Sequence, residues 1–229
     1  MYHLPKQQKL YQIDWSHHDY RNSDINNYVL AAENLISDNT YVFFTGVSKI
    51  TSKKKLPKQI IEPRHTEVGS DFMDIFLANQ CKFYICTDSG ISIVPQCFRK
   101  PIVFVNFPSI RRIYLHNLES IVILKNFYSK SKKRLLSFKE VVQMENIVGD
   151  FGTKKFKDNY NDIEIIENSP EEIDDAAQEM NQRLEGSWVE TSEDIELQNQ
   201  FWRINRMGSY KSDKLLIGTK FLRKYKDLL

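Results

Sequence analysis

The chain has 229 residues, 41% of them hydrophobic and 12% aromatic, with a net charge of only +2. That is material for one sizeable domain with an appendage or for two small ones, and a mean hydropathy of −0.48 is ordinary for a water-soluble chain. No apolar run is long enough to span a bilayer, the first ten residues lack the apolar stretch of a signal peptide, and three cysteines without a Cys-x-x-Cys pair argue against a disulfide framework or a zinc site.

A cytoplasmic protein is expected, or one that touches a membrane only through its surface. The small net charge hides a strong asymmetry. Residues 161–200 hold 13 acidic side chains and one basic one, Arg183, a balance of −12, so the remainder carries +14. A basic body favours a phosphorylated ligand, although solvated lysines account for it equally well. Lys53-Lys54-Lys55 and Lys130-Ser131-Lys132-Lys133-Arg134 read as loop charges. Neither run has the interleaved aromatics of a nucleic-acid surface, so no nucleic-acid partner is expected.

Residues 1–22 read as extended or irregular, with aromatics at Tyr11, Trp15 and Tyr20. Asp24 to Ser37 has apolar residues at helical spacing behind Ser23 as a cap. Tyr41–Thr45 is a short strand closed by Gly46, residues 47–57 are a polar loop, and Gln59-Ile60-Ile61 is a second short strand stopped by Pro63. Ser70 to Asn79 reads as a helix capped by Ser70 or Asp71.

The most informative stretch follows. Phe83–Cys86 is a buried strand, Thr87-Asp88-Ser89-Gly90 a small polar turn, Ile91–Phe98 a short helix and Pro101–Asn106 a second buried strand. Ser120–Leu124 is another apolar strand, and Ser137–Asn146 a helix with Ser137 and Glu140 at capping-box spacing. After a polar connection over 147–162, Ile163–Ile166 is an edge strand. Ser169-Pro170-Glu171-Glu172 starts a helix: a cap, a proline in the first turn and acids that complement the helix dipole. A further helix begins near Ser192, and Leu215–Leu229 is a basic amphipathic tail.

Alternating strands and helices predict an α/β fold, a Rossmann-like parallel sheet with helices on both faces and a C-terminal helical extension. The expected division is residues 1–150 for a donor-binding domain and 151–229 for the edge strand and extension.

Two groups of residues can carry chemistry. Thr87, Asp88, Ser89 and Gly90 stand where a parallel strand feeds a helix: two hydroxyls, a glycine that lets backbone come close, and the N–H groups of the helix start suit a phosphate. The same residues also serve as an ordinary helix cap. There is no Walker loop and no Gly-x-Gly-x-x-Gly fingerprint. The second group is His17-His18-Asp19-Tyr20-Arg21 before the first helix. Arg21 can pair with a phosphate in two-pronged fashion, and His18 and Asp19 can orient a substrate or move a proton. Adjacent histidines without a spaced third ligand argue against a metal. Asp71 and Asp74 lie one helical turn apart, where acids usually complement the dipole.

In their order along the chain, several pieces resemble a family of bacterial glycosyltransferases. These are Asp19-Tyr20-Arg21-Asn22-Ser23-Asp24, Ser70-Asp71-Phe72-Met73-Asp74-Ile75, Thr87-Asp88-Ser89-Gly90, Phe98-Arg99-Lys100-Pro101-Ile102-Val103-Phe104-Val105-Asn106 and Asn168-Ser169-Pro170-Glu171-Glu172-Ile173. The resemblance covers most of residues 18–229 and is to the nucleotide-sugar half of the two-domain GT-B architecture. It implies metal-free transfer of a sugar from a nucleotide diphosphate sugar to a cell-surface glycan or lipid-linked acceptor, with no cofactor. The Thr87–Gly90 turn would hold the diphosphate and Arg21 would neutralise it from the opposite side.

GT-B enzymes carry a second Rossmann-like domain for the acceptor, for which this chain has no room. A partner chain or a second copy would supply it, and Leu215, Leu216, Phe221 and Leu222 would be exposed or paired there. The general base is left unassigned. A non-catalytic nucleotide-sugar-binding subunit and a sugar-nucleotide hydrolase or epimerase are the rival readings.

Overall fold

The computed structural model describes residues 16–46, 48–51, 55–115, 119–204 and 214–229. Tyr11, Trp15 and most of the Lys53–Lys55 run lie outside them. The architecture is mixed α/β, with a parallel sheet flanked by helices. Four strands form that sheet in the order β3 (Tyr84–Cys86), β4 (Ile102–Phe107), β5 (Ser120–Leu124) and β9 (Leu215–Ile217), all parallel. Every residue of β4 and β5 is buried. Continuous burial without alternation is the mark of a strand covered on both faces.

Two smaller sheets are also present among the described residues. β1 (Val42–Phe43) pairs in parallel with β2 (Ile60–Ile61), a short pair over the satellite core of Ala32, Ile50 and Ile60. β6 (Asn126–Ser129) lies between β7 (Arg134–Leu135) and β8 (Ile163–Ile166), both antiparallel to it. Strand β5 runs into β6 with Lys125 as the only residue between, so one length of chain serves two sheets. The β6–β7 hairpin is absent from the sequence reading: its turn holds Lys130 to Lys133, which looked like a charged loop.

The helix Pro170–Leu184 packs on β4 and β5 through Ile173, Ala176, Ala177 and Met180, all buried. Its start is a complete capping box: Ser169 Oγ accepts from the Glu172 N–H, and Glu172 Oε2 accepts from the Ser169 N–H at 3.0 Å. Such a cap contributes about 1 kcal/mol. The first helix is shorter than expected. A 3-10 turn, Ile25–Tyr28, leads into an α-helix over Val29–Leu35, and Asp24 rather than Ser23 caps the turn by accepting from the Asn26 N–H at 2.9 Å.

The C-terminal tail corrects the reading of an unpartnered amphipathic segment. Leu215–Ile217 is the fourth strand of the main sheet, and Leu215, Phe221 and Leu222 are buried in the chain's own core. The outer edge of β9 is covered by a side chain. Gln198, from the helix Ser192–Ile204, donates through Nε2 to the Ile217 carbonyl at 2.5 Å and accepts the Ile217 N–H at 3.2 Å. It thereby substitutes for a neighbouring strand on an otherwise open edge. Among the described residues, no helix is long and apolar enough to cross a membrane.

Candidate anion site at the strand ends

The C-terminal ends of β3, β4 and β5 lead into Thr87–Gly90, Ser109–Arg112 and Lys125 respectively. In open parallel sheets this edge is where ligands bind. Across it lies the 3-10 segment Ser16–Arg21, which a set of buried polar contacts holds in place. Lys125, buried to 5% exposure, donates to the Asn22 carbonyl at 2.6 Å. Burial lowers its pKa, and Glu167 offsets that only in part. Asn106 Nδ2 donates to Ser23 Oγ at 2.6 Å, so the hydroxyl expected to cap a helix instead ties the segment to β4.

Asn106 also exchanges two bonds with Asn168: its N–H donates to Asn168 Oδ1 at 2.5 Å, and its own Oδ1 accepts the Asn168 N–H at 2.6 Å. Farther out, the segment rests on Gly152. A β-carbon there would lie 1.6 Å from the His17 carbonyl oxygen, so only glycine admits this approach.

Five side chains then converge. The Tyr20 hydroxyl donates to Asp150 Oδ2 at 2.7 Å and accepts from Arg21 Nε at 2.9 Å and Arg112 Nη2 at 3.4 Å. Arg112 Nη2 reaches Asp88 Oδ2 at 3.0 Å, and Arg21 lies 3.6 Å from Asp150. Burial pushes the Tyr20 phenol up to about 12, so it stays a donor. Burial also works against charge on Arg21, but the Tyr20 bond and the negative charges of Asp88 and Asp150 outweigh it and raise its pKa. Arg112 is set by its own turn, in which its N–H donates to Ser109 Oγ at 3.2 Å, while Glu145 receives the Ser109 hydroxyl and the Arg111 N–H.

Of the residues singled out in the sequence, Arg21, Asp88 and His18 meet here. His18 has its pKa lowered, first by burial and then by His17 and Arg21, against a raising pull from Asp150, which keeps the ring neutral near pH 7. Thr87 and Ser89 line a cavity of about 590 Å³ beside the turn. Gly90 stands open: a β-carbon there would meet nothing within 4 Å, so the mouth is unobstructed and needs no glycine on the protein's own account.

Asp19 does not join the cluster. Its carboxylate takes the Asn22 side-chain amide at 3.1 Å on an exposed surface, because the 3-10 turn sends residues 19 and 21 in different directions. Asp71 and Asp74 are partners of Arg64, at 2.5 and 2.7 Å, and lie outside this group. The helix behind the turn is also shorter than expected, a 3-10 turn over Gly90–Ser92 and then Ile93–Cys97, so guanidinium groups rather than a long helix dipole supply the positive field. Cys86 is buried and Cys97 is exposed.

Sequence reasoning missed Arg112 and Asp150, and it gave Tyr20, though inside the second polar group, no role of its own. Arg112 carried one usable signal, its place just beyond the C-terminal end of an evident strand.

Asp150 gives the cluster a pH signature. Burial alone would raise its pKa. The Gly152 N–H, the Tyr20 hydroxyl and the charges of Arg21 and Arg112 together hold it below the usual aspartate value. The carboxylate therefore adds stability above the ordinary aspartate range, and that stability is lost as pH falls through the lowered folded-state pKa. Urea denaturation of the Asp150→Asn variant should show a smaller stability deficit against the parent at pH 3 than at pH 7. An equal deficit at both would refute the charge role. No protein-family model, no curated protein and no solved structure matches this chain.

Proposed function

We propose that the chain binds a nucleoside diphosphate sugar at the C-terminal edge of its parallel sheet and serves as the donor half of a glycosyltransferase acting on a surface glycan or lipid-linked acceptor. The observation that carries this reading is the meeting of Arg21 and Arg112 beside the open Thr87–Gly90 turn. Two guanidinium groups next to hydroxyls and helix-start amides suit a diphosphate, and they favour its departure by stabilising the charge that develops on it. Asp88 and Asp150 balance the two cations within the chain, so an arriving diphosphate competes with these carboxylates. The acceptor side belongs, in this proposal, to a partner chain or a second copy.

Calorimetry with nucleoside diphosphates tests the donor site. Arg21→Ala should weaken binding at least tenfold and Ser89→Ala several-fold, with the fold intact by circular dichroism. A charge-assisted hydrogen bond is worth about 1.5–3 kcal/mol. Unchanged affinity in both variants would falsify the assignment. Incubation with nucleotide sugars and candidate acceptors then separates transfer from binding alone, and release of free sugar without an acceptor points to a hydrolase.

A further inference from the structure

The main sheet and the β1–β2 pair are not joined, and the cavity of about 590 Å³ is the gap between them. Its walls are two facing strand edges. On β1, the Val42 N–H donates to the Gln59 carbonyl at 2.9 Å and the Phe44 N–H to the Ile61 carbonyl at 2.8 Å. On β3, the Tyr84 N–H donates to the Pro101 carbonyl at 3.0 Å, and Tyr84 and Cys86 stand in the ladder to β4.

In parallel pairing, alternate residues of a strand turn their peptide groups to opposite sides. The peptide groups of Phe43 and Thr45 therefore face those of Phe83, Ile85 and Thr87, and all five residues line the gap. The strand order across it would read β2-β1-β3-β4-β5-β9, so the winding of the sheet reverses at the gap, and the carboxyl end of the gap opens on the crevice where ligands bind in doubly wound sheets.

The two broad faces are different in kind. Tyr28, Ala32 and Leu35 cover the gap from the first helical segment, and Leu77 covers it from the helix Asp71–Gln80. Apolar side chains therefore cover the gap, and peptide donors and acceptors stand along its two strand edges. Thr45 Oγ1 and the Tyr84 hydroxyl, 2.5 Å apart, tie the walls together. An acyl chain would leave the edge groups without partners, at a cost of about 1–3 kcal/mol for each buried one. A planar heterocycle has apolar faces and a polar rim of its own.

We infer that the slot between β1 and β3 is a nucleobase pocket, read by backbone groups of the two strand edges. The inference rests on the donor-site proposal for the phosphate end of the same ligand: Thr87 and Ser89 stand at once in the turn and in the slot wall.

Affinities for a nucleoside diphosphate, the matching nucleoside and inorganic pyrophosphate, measured across the base types, test it. One diphosphate should bind the parent protein at least tenfold more tightly than pyrophosphate. Thr45→Trp, which fills the slot, should remove that advantage and leave pyrophosphate affinity unchanged. Hydrogen exchange on the parent protein gives a readout independent of any variant: the nucleoside should slow exchange at residues 43–45 and 83–87. Equal affinity for pyrophosphate and every nucleoside diphosphate, with Arg21→Ala weakening both, overturns the base pocket and leaves the anion site standing. Nucleoside protection of the strand edges without any pyrophosphate binding does the reverse. Protection by dodecanoate but by no nucleoside overturns the inference in favour of an acyl chain.

Discussion

Asn168→Ala is expected to cost roughly 2–6 kcal/mol of folding stability. The side chain is buried, at 1% exposure, between the ends of β4 and β5 and the start of the long helix. Its Oδ1 accepts the Asn106 N–H, and its Nδ2 donates to the Leu124 carbonyl at 2.7 Å. Alanine removes both partners and supplies none, leaving a buried backbone donor and a buried backbone acceptor unpaired. Each such group costs about 1–3 kcal/mol. The damage should also spread to Asn106, whose backbone sits at φ 52, an uncommon conformation for a non-glycine residue, and whose side chain holds Ser23. Urea denaturation measures the loss. A change below 1 kcal/mol would show that the Asn106–Asn168 pair is dispensable.

Arg112→Ala should weaken nucleoside diphosphate binding by about 10- to 100-fold, the range for one lost charge-assisted contact to phosphate. The variant takes away the cation next to Asp88 and so leaves that carboxylate uncompensated beside the incoming anion. Both effects act in the same direction. Arg112→Lys should recover only part of the loss, because an ammonium group is a point charge and cannot offer a phosphate the two parallel bonds of a guanidinium. Titration at low and high salt provides the check: the penalty of the alanine variant should shrink as salt screens the site. Full affinity in the alanine variant would remove Arg112 from the site.

Much of the frame can be read from the sequence. Ile102–Phe107 and Ser120–Leu124 are dense apolar runs between polar breaks, and only a strand covered on both faces uses such a run at that length. Ser169-Pro170-Glu171-Glu172 announces its helix because cap, proline and acids act locally. What failed depended on distant partners. Ser23 and Asp24 are equally good caps by type, and only the amide of Asn106, more than eighty positions away, decides between them. Leu215-Leu216-Ile217 is too short for periodicity to separate strand from helix, and it becomes a strand because β5 offers it an edge. Arg21 and the Thr87–Gly90 turn were visible as polar clusters beside regular elements. Arg112 and Asp150 had no motif around them, and they enter the site only because three loops reach the same end of the sheet.

The placement of β9 has a consequence for synthesis. Strand β5 spans residues 120–124, yet its outer neighbour is made from residues 215–217, about ninety positions later. A ribosome must therefore extend the chain past residue 217 before the main sheet can be finished, and until then the row of peptide groups on one flank of β5 is available to other chains. Nascent molecules cut short before Leu215 should be the species that aggregate or recruit chaperones.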